Sequence, residues 1–160
     1  MSTEENKERF VRLFNEMFNK GNLAAVNEAL APDVVFTSST EPRPVYGVEG
    51  FKQFPTKLRR GFPDIHVNLD EVIGQDDIVM SRWTWRGTHL GEFEDLPPTG
   101  KQAAGQGIEV YRFVDGKVAE IWLEVNVLSV LTQLGVFPPG GFPKPVLWLI
   151  GQYQRLRPAR

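Results

Sequence analysis

The chain contains no cysteine, which excludes disulfides and thiol nucleophiles and removes the usual clue to redox compartment. Histidine is scarce, two in 160 residues, so a transition-metal site would have to lean on carboxylates, and no metal or cofactor is expected. A large charge of one sign is also missing. The formal net charge of −2 gives no bulk attraction to nucleic acid. The longest late apolar run, Val146 to Ile150, is far too short to span a bilayer. The charged opening "MSTEENKERF" reads as neither a signal peptide nor a membrane anchor, so a soluble cytoplasmic protein is expected. Phosphate-cradling glycine loops, His-Glu-x-x-His, a nucleophile elbow and a dinucleotide fingerprint are all absent.

What is present is an ordinary globular balance, 41% hydrophobic and 24% charged, in a length that suits one domain. Ser2 followed by Glu5 resembles a capping box, and Phe10, Phe14, Met17 and Phe18 fall on one helical stripe. Gly21 ends that helix, and Asn22 can cap a second, shorter one running to about Leu30. Pro32 opens the extended stretch "DVVFTSS", and a third helical segment follows over about 47–60. Pro55 should kink it or mark a late start. From Asp64 the period changes to two, and "DIHVNLDEVI", "IVMSRWTWRGTH", "QGIEVYRFV" and "KVAEIWLEVN" are successive strand candidates. This order predicts an α+β domain over residues 1–136, with three N-terminal helices laid on a mostly antiparallel sheet.

Residues 137–160 differ. A Pro/Gly-rich stretch precedes Pro145, which suits the first turn of a C-terminal tail helix whose Leu149, Tyr153 and Leu156 share a face. That helix is expected to pack on its own or a partner subunit. Arg155, Arg157 and Arg160 leave a membrane-surface helix as the alternative.

With the strong signatures gone, the remaining chemistry lies in acids, His89, Arg82 and many aromatics. That set suits proton transfer on an apolar organic molecule, or binding one. The motifs "FPD", "RGTHLGEF", "PPTGK" and "DGK", in that order and followed by "LTQLG", resemble the SnoaL-like polyketide cyclases over roughly residues 5–135. The resemblance implies a nuclear-transport-factor-two-like fold: a conical barrel of strongly curved sheet and helices around a pocket, and a homodimer formed through the sheet. It also implies cofactor-free ring closure by aldol chemistry, while relatives on this fold isomerise steroids, open epoxides or bind without turnover. Where matching cyclases carry a histidine and, fourteen residues on, an acid/base aspartate, this chain has Glu109 and Leu123.

The hairpin turn decides what Glu109 means. A two-residue turn at Asp115-Gly116 puts Glu109 with Val118, Glu120, Trp122 and Glu124, and pattern alone favours it. A three-residue loop, Val114-Asp115-Gly116, puts Glu109 and Tyr111 with Ile121 and Leu123, as the resemblance implies, and is the expected form. In that register burial raises the Glu109 pKa toward neutrality. The expected site therefore has Glu109 as acid/base and His89, in phase with Trp83 and Trp85, as its assistant. Phe14, Phe18, Trp83, Trp85, Tyr111, Ile121, Leu123 and Asn126 shape a pocket for a hydrophobic small molecule. Thr37 and Ser38 are further polar candidates, and Arg82 and Arg86 fall on the opposite face. A non-catalytic ligand binder and a sheet-mediated interaction module remain the alternatives.

Overall fold

The structure is a computed structural model that describes residues 2–138, 140–141 and 143–146. Helix α1, Thr3–Phe14, begins at the expected capping box: Glu5 N–H donates to Ser2 Oγ, and the Glu5 carboxylate accepts from Ser2 N–H at 2.7 Å. A π-helical turn, Asn15–Asn19, continues it. Phe10, Phe14, Met17 and Phe18 are all buried, and the wider turn keeps Met17 and Phe18 both facing inward. Helix α2, Ala24–Ala29, follows the Asn22 side chain, whose Oδ1 accepts from Ala24 N–H. Helix α3, Gly47–Gly61, runs through a buried Pro55 rather than starting late there.

The strands are β1 Leu30–Ser38, β2 Val45–Tyr46, β3 His66–Gln75, β4 Ile78–Thr88, β5 Gln102–Val114 and β6 Lys117–Val125. They form one sheet in the order β2-β1-β6-β5-β4-β3. Among the described residues only the β1–β6 pairing is parallel. The α+β class and mostly antiparallel sheet match expectation, but the sheet is open, with β2 and β3 as its edges, rather than a closed barrel. Asn19 covers part of the β3 edge: its Nδ2 donates to Val67 O at 2.9 Å, and its Oδ1 accepts from Val67 N–H at 2.8 Å. A carboxamide thus stands in for one rung of a neighbouring strand.

Helix α4, Val127–Leu134, was not foreseen from the sequence, whose strand pattern runs unbroken into Asn126. Asn126 caps it, accepting from Ser129 N–H, and Gly135 ends it with a left-handed φ of 82°. Gln133 pins it to β5 by bonding both main-chain groups of Ala104. The predicted C-terminal face of Leu149, Tyr153 and Leu156 lies outside the described residues. No helix among the described residues is long and apolar enough to cross a membrane.

The β5–β6 hairpin corrects one expectation and reaches the same faces by another route. Val114 pairs with Lys117, and Asp115 and Gly116 take φ of 47° and 79°, so the turn has two residues and both are left-handed. The extra residue sits further along. Phe113 pairs with Val118 but Arg112 pairs with Glu120, leaving Ala119 as a bulge. Beyond it the faces have exchanged, so Tyr111 pairs with Ile121 and Glu109 with Leu123.

Replacing Asn19 by Ala should destabilise the protein by about 1–3 kcal/mol, because both polar groups of Val67 lose their partner at once. Urea denaturation measures this; a midpoint within error of wild type would show that water replaces the amide without loss.

Candidate functional site

The inner face of the sheet and helices α1, α3 and α4 enclose a cavity of about 300 Å³. Period-two alternation along β4 aims Val79, Ser81, Trp83 and Trp85 inward, and the same rule sends Arg82 and Arg86 out. Arg82 pairs there with Asp70 and Glu71. From α1 and its π-turn come Phe14 and Phe18, with ring centroids 4.8 Å apart. Phe54 and Leu58, one turn apart on α3, add a wall that helical spacing would have revealed. Val127 and Val130 of α4 close another side. The mouth is polar, with Ser39, Thr40, Glu41, Lys57 and Glu94, and Lys57 stands 3.9 Å from Glu41.

Of the expected pocket residues, Phe14, Phe18, Trp83, Trp85 and Leu123 line the cavity together with Glu109. Others take different places. Tyr111 and Ile121 are buried but stand behind the lining, with Tyr111 edge-on to Phe10 at 4.9 Å. Asn126 is exposed, its carbonyl oxygen engaged in capping α4. Ser38 is buried against Thr40, and it is Ser39 and Thr40, not Thr37 and Ser38, that reach the mouth.

His89 also departs from its expected role. It keeps the phase of Trp83 and Trp85 but lies past the cavity, packed on Phe62 and Phe93 with centroids 5.3 and 6.5 Å away. Thr99 N–H donates to its Nδ1, and the Thr99 hydroxyl lies 3.1 Å from the same nitrogen. Main-chain bonds from His89 N–H to Lys101 O, and from Gly100 N–H to His89 O, close the same loop. His89 is a latch for residues 89–101, two of which, Phe93 and Glu94, border the cavity.

Glu109 is 3% exposed. Its Oε2 accepts from the Tyr111 hydroxyl at 3.3 Å and its Oε1 from Ser81 Oγ at 3.5 Å, both long bonds. Burial pushes its pKa up to about 8, against a smaller downward pull from the two hydroxyls. The Tyr111 phenol is itself pushed up, chiefly by burial and then by the neighbouring carboxylate, so it stays a donor. Among the described residues, no three His, Cys, Asp or Glu side chains gather as a metal site would need. The arrangement offers one carboxyl group able to take or give a proton in an apolar chamber.

Burial of Glu109 has a cost that depends on pH. The folded chain holds the proton up to about pH 8, whereas an unfolded glutamate releases it near 4.5. Stability from this group is therefore full below 4.5 and falls as pH rises through 8, by at most about 1.4 kcal/mol per pH unit. Glu109→Gln should flatten that decline and be more stable than wild type at pH 8. Urea midpoints between pH 5 and 8.5 measure it, and parallel curves for the two proteins would contradict a buried, neutral Glu109.

Comparison with known proteins agrees with this architecture. Residues 8–134 match the family model for SnoaL-like polyketide cyclase. Aklanonic acid methyl ester cyclase DauD from Streptomyces sp. (strain C5) is 27% identical over 128 residues, covering 78% of this chain and 79% of the relative. The nogalonic acid methyl ester cyclase of Streptomyces nogalater is 28% identical over 120 residues, 74% and 89% of the two chains. Among solved structures, a protein of Jannaschia sp. CCS1 assigned to the SnoaL-like polyketide cyclases superposes with a TM-score of 0.78 at 26% identity, covering 86% of this chain and 95% of that one. AclR of Streptomyces galilaeus, assigned as a hydroxylase, gives 0.77 at 29% identity over 96% and 94%. The fold, the cavity and the matched span agree: this chain belongs to the SnoaL-like polyketide cyclase family.

Proposed function

We propose that this protein carries out cofactor-free acid/base chemistry, a cyclisation or an isomerisation, on a hydrophobic, oxygenated molecule of the polyketide kind. The observation that carries the reading is Glu109, a single carboxyl group walled in by aromatic and aliphatic side chains and titrating near neutrality. With burial raising its pKa to about 8, Glu109 is a carboxyl that can act as acid or base near neutral pH. The carboxylate removes a proton from a carbon beside a carbonyl, leaving an enolate. That enolate either attacks a second carbonyl, closing a ring, or is reprotonated elsewhere. The neutral carboxylic acid returns the proton in both cases.

Leu123 stands where the matching cyclases carry their acid/base aspartate, and it is the direct cross-strand partner of Glu109. Cross-strand partners have β-carbons about 4.5–5.5 Å apart, so a carboxyl at position 109 serves the same part of the cavity from the next strand. The same leucine, with both Glu109 oxygens accepting internal hydroxyls, also favours a second reading: a ligand-binding member without turnover.

The outer face of the sheet supports a homodimer. Met80, Ile108 and Trp122 remain exposed there, an apolar patch that a second, symmetry-related copy would cover.

Aklanonic acid methyl ester, the substrate named for relatives, is the first compound to test. Wild type should convert it to a product resolved by chromatography. Glu109→Gln should lower kcat by about 10²–10⁴-fold with little change in affinity. Equal turnover by the variant removes Glu109 from the mechanism, and tight binding without turnover by wild type selects the binding-only reading. Ile108→Glu should convert a dimer to a monomer in light scattering; a monomeric wild type ends the homodimer proposal.

A further inference from the structure

Strand β5 turns Ala103, Gly105 and Gly107 inward before Glu109, so three successive interior positions carry nothing larger than a methyl group. Neither glycine has a positive φ, so backbone conformation does not demand them. The tryptophans of β4 do. Trp85 pairs with Gly105 and Trp83 with Gly107. A β-carbon on Gly105 would overlap Trp85 Nε1 and lie 3.0 Å from its Cε2. One on Gly107 would lie 2.7 Å from Trp83 Cη2 and 2.6 Å from the Glu124 carbonyl oxygen. Each indole thus reaches over the neighbouring strand, in space left by a missing side chain.

Both indoles line the cavity, and neither glycine does. We propose that Gly105 is a specificity-determining position that sets the width of the cavity through Trp85. This rests on the cavity being a ligand site. A methyl group at 105 leaves the indole one way to move, off the sheet and into the cavity. Phe62, edge-on to Trp85 at 4.9 Å, limits sideways escape. A ligand lying against the Trp85 wall loses room as the indole advances, so the widest ligands are the first to be excluded. Gly105 differs from Gly107 in a way that makes it the cleaner position to test. Its obstacles are all Trp85 side-chain atoms, whereas Gly107 also meets backbone.

The test compares wild type, Gly105→Ala, Trp85→Phe and Gly105→Ala/Trp85→Phe by calorimetry. The probes are 1-tetralone, with two fused rings, and 1,8-dihydroxyanthraquinone, with three. Gly105→Ala should weaken the three-ring probe by about tenfold or more and the two-ring probe by less, and Trp85→Phe should restore the three-ring affinity. Unchanged three-ring affinity in Gly105→Ala overturns the proposal. So does a loss that Trp85→Phe fails to rescue although Trp85→Phe alone binds the three-ring probe, because that marks damage to the strand. A crystal structure of Gly105→Ala decides independently of any ligand: an indole shifted into the cavity supports the proposal, and an unmoved one overturns it. Wild type binding neither probe would instead count against the cavity as a polycyclic-ligand site.

Discussion

Everything at the site depends on one unpaired residue in β6. Ala119 lengthens that strand by one position relative to β5, and every side chain beyond it answers to a different partner. Without the bulge, the two-residue turn would put Glu109 on a face with Glu120, Trp122 and Glu124. A carboxylate there would be solvated and chemically idle. With it, Glu109 meets Leu123 across the sheet and is enclosed by apolar side chains. The unusual pKa is thus a consequence of strand register before it is a consequence of any neighbour. Among the described residues no cation pairs with that carboxyl, and burial outweighs the two hydroxyls that oppose it.

The two hydroxyls on Glu109 define the compromise. Tyr111 and Ser81 pull its pKa down, yet at 3.3 and 3.5 Å they do not offset the loss of water. Shorter bonds from the same hydroxyls would lower that pKa further. A wholly apolar surround would yield a permanent acid. The balance between them leaves a carboxyl that keeps its proton up to about pH 8, at a cost in stability that grows from about pH 4.5 upward.

Much of this fold was legible in the sequence. The capping box at Ser2, the aromatic stripe of α1 and the alternation of β4 each follow from a local rule, and the structure obeys all three. The cavity wall was legible in part, because Trp83 and Trp85 sit on β4, whose period is unambiguous. The bulge was not. Asp115-Gly116 signals its turn strongly, but Ala119 carries no mark that distinguishes a bulged from a paired residue. The right faces were expected for the wrong reason. His89 illustrates a different limit: alternation gives its direction but not its distance along the strand, and Thr99, its partner, lies in a loop without periodicity. Helix α4 was hidden because "VLSVLTQL" is apolar enough to read as more strand, and only Asn126 and Gly135 at its ends give it away.

The amide of Asn19 bears on how the chain behaves in company. An edge strand with free main-chain groups is a template onto which other chains can add, and β3 is such an edge. By occupying both groups of Val67, the second residue of β3, Asn19 closes the first outward rung of that template. The π-turn that positions Asn19 also presents Phe18 to the cavity. One local widening of a helix therefore serves both the chamber and the first rung of that edge.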